Sequence, residues 1–133
     1  MKQIGVILTL IIVCVCGNSK AQPSAVKNAA KSVFKLTTYN ADGTVLSTSH
    51  GVFVGNNGEA ISDLKPFIGA SKAIVTDSKG REMNVERIMG VNDIYDVAKF
   101  KVNGKTIPLN VAQSASASGS QAWLVSYAEK SRQ

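Results

Sequence analysis

The stretch Ser49-His50-Gly51-Val52-Phe53-Val54-Gly55-Asn56-Asn57-Gly58-Glu59-Ala60-Ile61-Ser62 constrains the fold more than any other part of the chain. It joins a β-rich run to a second, shorter one through a tight Gly/Asn turn, which is the grammar of an antiparallel hairpin. Pro66 follows closely, and a proline removes a backbone donor and clashes with the preceding turn. The connection from Asp63 to Phe67 is therefore expected to be a loop and not a regular helix.

The same alternation of short runs and turn residues fills the rest of the chain. Residues 22–31 carry Pro23 near the start and Ala25, Val26, Ala29 and Ala30 at helical spacing, which predicts a short leading helix. Val33–Tyr39 is rich in β-branched and aromatic residues and reads as a strand, closed by the turn Asn40-Ala41-Asp42-Gly43. Thr44–Val54 and Glu59–Ser62 form the hairpin above. Ala73–Thr76, Arg81–Val91 and Asp96–Val102 are further strands, with a turn at Asp77-Ser78-Lys79-Gly80 and another at Asn103-Gly104. Ile88–Val91 break strict alternation, which predicts a bulge near Gly90. Ile107–Val111 is extended but demoted to an edge or loop by Pro108. Gln113–Ser120 reads as a Ser/Ala/Gly loop, and Ala122–Tyr127 as a last apolar strand. Short strands with regular turns predict an all-β fold, a small six- or seven-stranded antiparallel β-barrel or sandwich preceded by a short helix.

The first residues predict export. Lys2 precedes the apolar run Ile4–Val15, which is shorter than the ~20 residues a spanning helix needs. Ser19-Lys20-Ala21 then offers small residues at the two positions that a signal peptidase reads, so residues 1–21 are expected to be a signal peptide and Gln22 the first mature residue. Lipid attachment at Cys14 or Cys16 is the weaker alternative, because the preceding residues are Val13 and Val15 instead of small ones. Both cysteines of the chain fall in the segment to be removed. The mature domain, periplasmic or secreted, would then be held without disulfides and without a stable membrane span. The net charge is +6, but the cations are scattered and not interleaved with aromatics, so a nucleic-acid groove is not expected. One histidine and no mature cysteine leave too few ligands for a metal site, and no cofactor is expected.

The order of these motifs resembles the first barrel of trypsin-like serine peptidases of the HtrA (Deg) type. In that family a Gly-Ser-Gly-Phe strand and a glycine turn precede a Thr-Asn-x-His-Val loop that ends in Gly-Ala. The corresponding run here is Ser49-His50-Gly51-Val52-Phe53-Val54, Gly58, Ser62-Asp63-Leu64-Lys65-Pro66 and Gly69-Ala70. A strand, a turn and Arg81-Glu82 come next. Gly90-Val91-Asn92-Asp93-Ile94-Tyr95-Asp96-Val97-Ala98-Lys99-Phe100-Lys101 then matches the family's Gly-x-Asp, two residues, Asp-Leu-Ala-Val-Leu-Lys. The resemblance runs from about Ser32 to Tyr127 and implies that residues 32–133 form the N-terminal half of a double barrel whose active site lies between the halves.

The resemblance implies site residues as well. Asp96 falls at the carboxylate that orients the catalytic base, although an ordinary turn carboxylate would read the same way. The base position holds Lys65 where the family has histidine. An ammonium, with an ordinary pKa near 10.4, is a cation at neutral pH and cannot accept a proton. An ion pair between Lys65 and Asp96 is expected in place of the His–Asp hydrogen bond. His50 sits in a strand, where a half-buried position with a backbone partner is expected instead of a base. The nucleophile would come from a Gly-x-Ser-Gly segment of the second barrel, which this sequence does not contain; Ser114, Ser116, Ser118 and Ser120 have no elbow context and read as loop residues. The expectation is an exported trypsin-like serine endopeptidase domain in a truncated or degenerate, proteolytically inactive copy, whose partner is a polypeptide. A non-enzymatic secreted β-barrel binding module is the alternative, and an unrelated secreted β module the third reading.

Overall fold

The computed structural model describes residues 24–110, 117–120, 122 and 124–128. The expected signal peptide with Cys14 and Cys16, and with them Ser114, Ser116 and Trp123, lies outside the described residues. A helix, α1 (Ser24–Ala30), leads into six strands: β1 (Val33–Tyr39), β2 (Val45–Phe53), β3 (Glu59–Asp63), β4 (Lys72–Thr76), β5 (Glu82–Asn92) and β6 (Val97–Val102). They close into an antiparallel barrel in the order β1-β2-β3-β6-β5-β4. Among the described residues no helix is long and apolar enough to cross a membrane.

The barrel follows from alternation within the strands. In β1 Phe34, Leu36 and Thr38 are buried while their neighbours are only partly covered, as period-2 geometry requires. The core collects Phe34, Leu36, Phe53, Ala60, Val75, Met83, Ala98, Phe100 and Val102. Phe34 stands 4.7 Å from Phe53 and, edge-on at 75°, 5.9 Å from Phe100. Each such ring contributes about 1.5–3 kcal/mol by burial relative to exposure. The helix α1 has no buried residue, so it rides on the barrel and is not part of its core.

Two glycines of the opening hairpin are required by what surrounds them. A Cβ at Gly51 would lie 2.5 Å from Cζ of Phe34 and would also meet the carbonyl oxygen of Ile61. Gly58 has φ +91° and faces the carbonyl oxygens of Val102 and Gly104. Between them the turn is clamped from a distance: the hydroxyl of buried Thr106 accepts from the Gly58 amide at 3.0 Å and donates to the Gly55 carbonyl at 2.6 Å. The Thr106 amide also donates to the Asn56 carbonyl at 3.1 Å.

The bulge expected near Gly90 is present. The β5–β6 register jumps from Ile88–Phe100 to Gly90–Lys99, leaving Met89 as the extra residue, and a second irregularity lies between Val85 and Arg87. Of the run Ala122–Tyr127 expected as a last strand, the described residues 122 and 124–127 belong to no strand, and Leu124 is 98% exposed. β-propensity by itself makes no strand without a partner to pair with, and the six strands close the ring without this run. Residues 107–110 likewise run outside the sheet, as Pro108 requires.

Candidate functional site

The ladder between β3 and β6 places the site. Its register runs from Glu59–Lys101 to Asp63–Val97, so the next residues to meet are Leu64 and Asp96. They do meet, and the amide of Leu64 donates to the Asp96 carbonyl at 3.2 Å and to Oδ1 of its carboxylate at 3.1 Å. The amide of Lys65 donates to the same Oδ1 at 2.9 Å. Lys65–Phe67 form one 3-10 turn that has Pro66 in its first positions and no side-chain cap from its own N-cap residue, Leu64. A helical turn leaves its first amides without partners, and Asp96 satisfies them from the adjoining turn between β5 and β6. The turn is seated by Phe67, whose ring lies 5.1 Å from that of Phe100.

Asp96 adopts an unusual backbone conformation to do this. Its φ of +53° makes it the non-glycine residue in the left-handed region among those described. Asp tolerates that region better than most side chains, and conformations of this kind gather at functional sites. Among the described residues Oδ2 accepts no hydrogen bond, which leaves one carboxylate oxygen open beside the turn. Ser49 donates its hydroxyl to Asp63 Oδ2 at 3.1 Å, fixing the side chain two residues before Lys65.

The structure thus brings Lys65 and Asp96 together but corrects the expected chemistry between them. No ion pair joins the two among the described residues; the donor is the Lys65 backbone amide, not its ammonium. A peptide N–H is fixed by the ladder, whereas a four-carbon side chain loses rotamer freedom to hold a contact that water screens. Among the described residues, ion pairs join Arg81 to Asp77 at 3.1 Å and Lys99 to Glu59 at 3.6 Å. His50 is also corrected, since it is exposed and not half-buried. Its register partner Lys35 puts it on the outer face, where its ring lies 5.9 Å from that of Tyr127. There it lines a shallow hollow of about 510 Å³ with Val33, Val52, Leu109 and Tyr127. Ser118 and Ser120 are exposed beside a turn. Sequence reasoning missed Leu64, Ser49 and Thr106. Of these, only the step from Asp63–Val97 to Leu64–Asp96 is implied by strand pairing, and it needs the register to be known.

The fold has counterparts among solved structures. The crystal structure of the serine endoprotease from Yersinia pestis is similar at a TM-score of 0.57 with 22% sequence identity, over 68% of this chain and 33% of that one. The chain therefore spans about a third of the length of that protease, and the likeness establishes the barrel fold. No protein-family model matches the sequence, and no curated protein matches it at a significant level.

Proposed function

We propose that this chain is an exported domain of the trypsin-like serine endopeptidase type, close in plan to the first barrel of HtrA peptidases, with a degenerate catalytic centre. Asp96 stands for the orienting carboxylate and Lys65 for the base. The observation that carries this reading is the contact of Asp96 Oδ1 with the amides of both Leu64 and Lys65. It joins the two positions that the family's motifs assign to base and carboxylate, and it does so through backbone that any side chain at position 65 would retain. What has changed is the proton acceptor. An imidazole can take a proton from a nucleophile and return it to a leaving group, whereas an ammonium has no lone pair with which to take it. The domain would then engage polypeptides without hydrolysing them.

The test is turnover of an unstructured protein substrate by the purified chain, beside an Asp96→Ala variant. No turnover above buffer is expected from either. Hydrolysis by the parent chain that Asp96→Ala abolishes would overturn the proposal. Export is tested separately, by sequencing the N-terminus of the protein recovered outside the cytoplasm, where Gln22 is expected first.

A further inference from the structure

The seam between β4 and β5 closes the barrel over only three residue pairs, Ile74–Asn84, Val75–Met83 and Thr76–Glu82. β5 continues well beyond them, to Asn92. From Glu86 to Asn92 every residue is exposed, and among the described residues this stretch pairs with β6 alone. Along an antiparallel strand the N–H and C=O of alternate residues point to opposite sides. Apart from the irregularities at Glu86 and Met89, the main-chain donors and acceptors of this stretch are therefore directed alternately to β6 and into the gap that β4 leaves.

The side chains around the gap are apolar on one face and cationic on the other. Ile88 and Val91 stand opposite Phe100 and Ala98, on the face that lines the barrel, yet they are 45% and 60% exposed because β4 no longer covers them. Ile68, 67% exposed, lies in the connection that leads into β4. On the outer face Arg87 stands directly opposite Lys101, and neither has an ion pair among the described residues. Like charges in that relation destabilise a sheet; Glu59 faces Lys101 from β3 and is paired with Lys99, which leaves Arg87 the cation that a carboxylate arriving beside β5 would meet.

We propose that the open edge of β5, Glu86–Asn92, docks an extended segment of a partner polypeptide by strand addition. The partner's backbone continues the sheet, its apolar side chains at alternate positions cover Ile88 and Val91, and a carboxylate on its other face reaches Arg87. The occupant is a strand because only a second backbone presents donors and acceptors at the strand repeat. It is acidic because of Arg87. It is a partner and not a second copy, because a copy of this chain, at net charge +6, would bring another Arg87 and Lys101 to the seam. The bulge at Met89 and the charges of Glu86 and Arg87 are devices that keep an edge from pairing indiscriminately. This docking is independent of the peptidase reading, since it uses the β4–β5 seam and not the β3–β6 ladder.

The probe is a blocked heptapeptide of alternating Val and Thr with a central Glu, titrated into the full chain and followed by amide NMR shifts and hydrogen exchange. Shifts and slowed exchange concentrated in Glu86–Asn92 are expected. An analogue methylated at alternate amide nitrogens should bind on the order of tenfold more weakly. Arg87→Glu should weaken the Glu peptide and favour its Lys counterpart by up to about fivefold. Shifts centred elsewhere, or equal binding of the methylated analogue, would overturn the proposal. So would protection of Glu86–Asn92 that rises with protein concentration in the absence of peptide, because the edge would then belong to a second copy.

Discussion

Asp96 caps the turn that begins at Lys65, accepting the Lys65 amide at 2.9 Å on the carboxylate oxygen that also accepts Leu64. The ladder between β3 and β6 thereby passes from main-chain pairing to side-chain capping within one residue, and a left-handed Asp96 makes the transition. The contact is blind to the side chain at position 65.

Substitution at Asp96 should separate capping from charge. Asp96→Ala removes the shared acceptor and places a Cβ-bearing residue without a local hydrogen bond in the left-handed region, at a cost of about 1–3 kcal/mol. Asp96→Asn keeps both an acceptor and tolerance of that region, and should cost less than about 1 kcal/mol. Urea unfolding of the two variants measures the difference.

Lys65 should be replaceable. Because its amide makes the contact, Lys65→Met is expected to change stability by no more than about 0.5 kcal/mol. A larger loss in the same unfolding assay would mean that the ammonium contributes to the fold.

Gly51→Ala should be costly and Gly90→Ala mild, although both glycines lie within strands. At Gly51 the added methyl meets the Phe34 ring and the Ile61 carbonyl, and overpacking of this kind costs about 1–3 kcal/mol. At Gly90 nothing lies within 4 Å of the added atom, and the change should stay within about 0.5 kcal/mol. Thermal unfolding of the pair checks the contrast.

Thr106→Val keeps the shape of the side chain and removes the hydroxyl that bridges Gly58 and Gly55. The buried Gly58 amide loses its acceptor, a loss of about 1–3 kcal/mol. Faster exchange of the Gly58 amide, beyond the change in global stability, is the specific signature.

Asp42 should titrate below the ordinary carboxylate range. The hydroxyl of Thr44 donates to it at 2.6 Å and the Thr44 amide at 3.0 Å, and both favour the ionised form. A carboxyl whose folded pKa is depressed contributes stability that is complete above its unfolded pKa, near 3.9, and is lost as the pH falls through the lower folded value. Thr44→Val should move the Asp42 titration, read by carboxyl NMR, back toward the ordinary range.

Much of the barrel was legible from local pattern. Alternation in Val33–Tyr39, the turn residues around Gly43, Gly58 and Gly80, and the break before Gly90 each report on a few neighbouring residues, and each is matched by a strand, turn or bulge. The run Ala122–Tyr127 shows the limit of such reading, because its β-propensity carries no information about whether it will find a strand to pair with. The candidate pair was legible only as two positions. That Lys65 meets Asp96 through a peptide N–H depends on a register between strands distant in sequence, which no local pattern encodes.

The sequence by itself determined the strands, their turns and the absence of an imidazole at position 65, since these are properties of residue type and spacing. Only the tertiary structure decided that six strands suffice, that Asp96 caps a turn instead of pairing with an ammonium, and that β5 outruns β4. The physical reason is the same in each case. Ring closure and register settle which backbone groups find partners, and both depend on pairing between strands far apart in the chain.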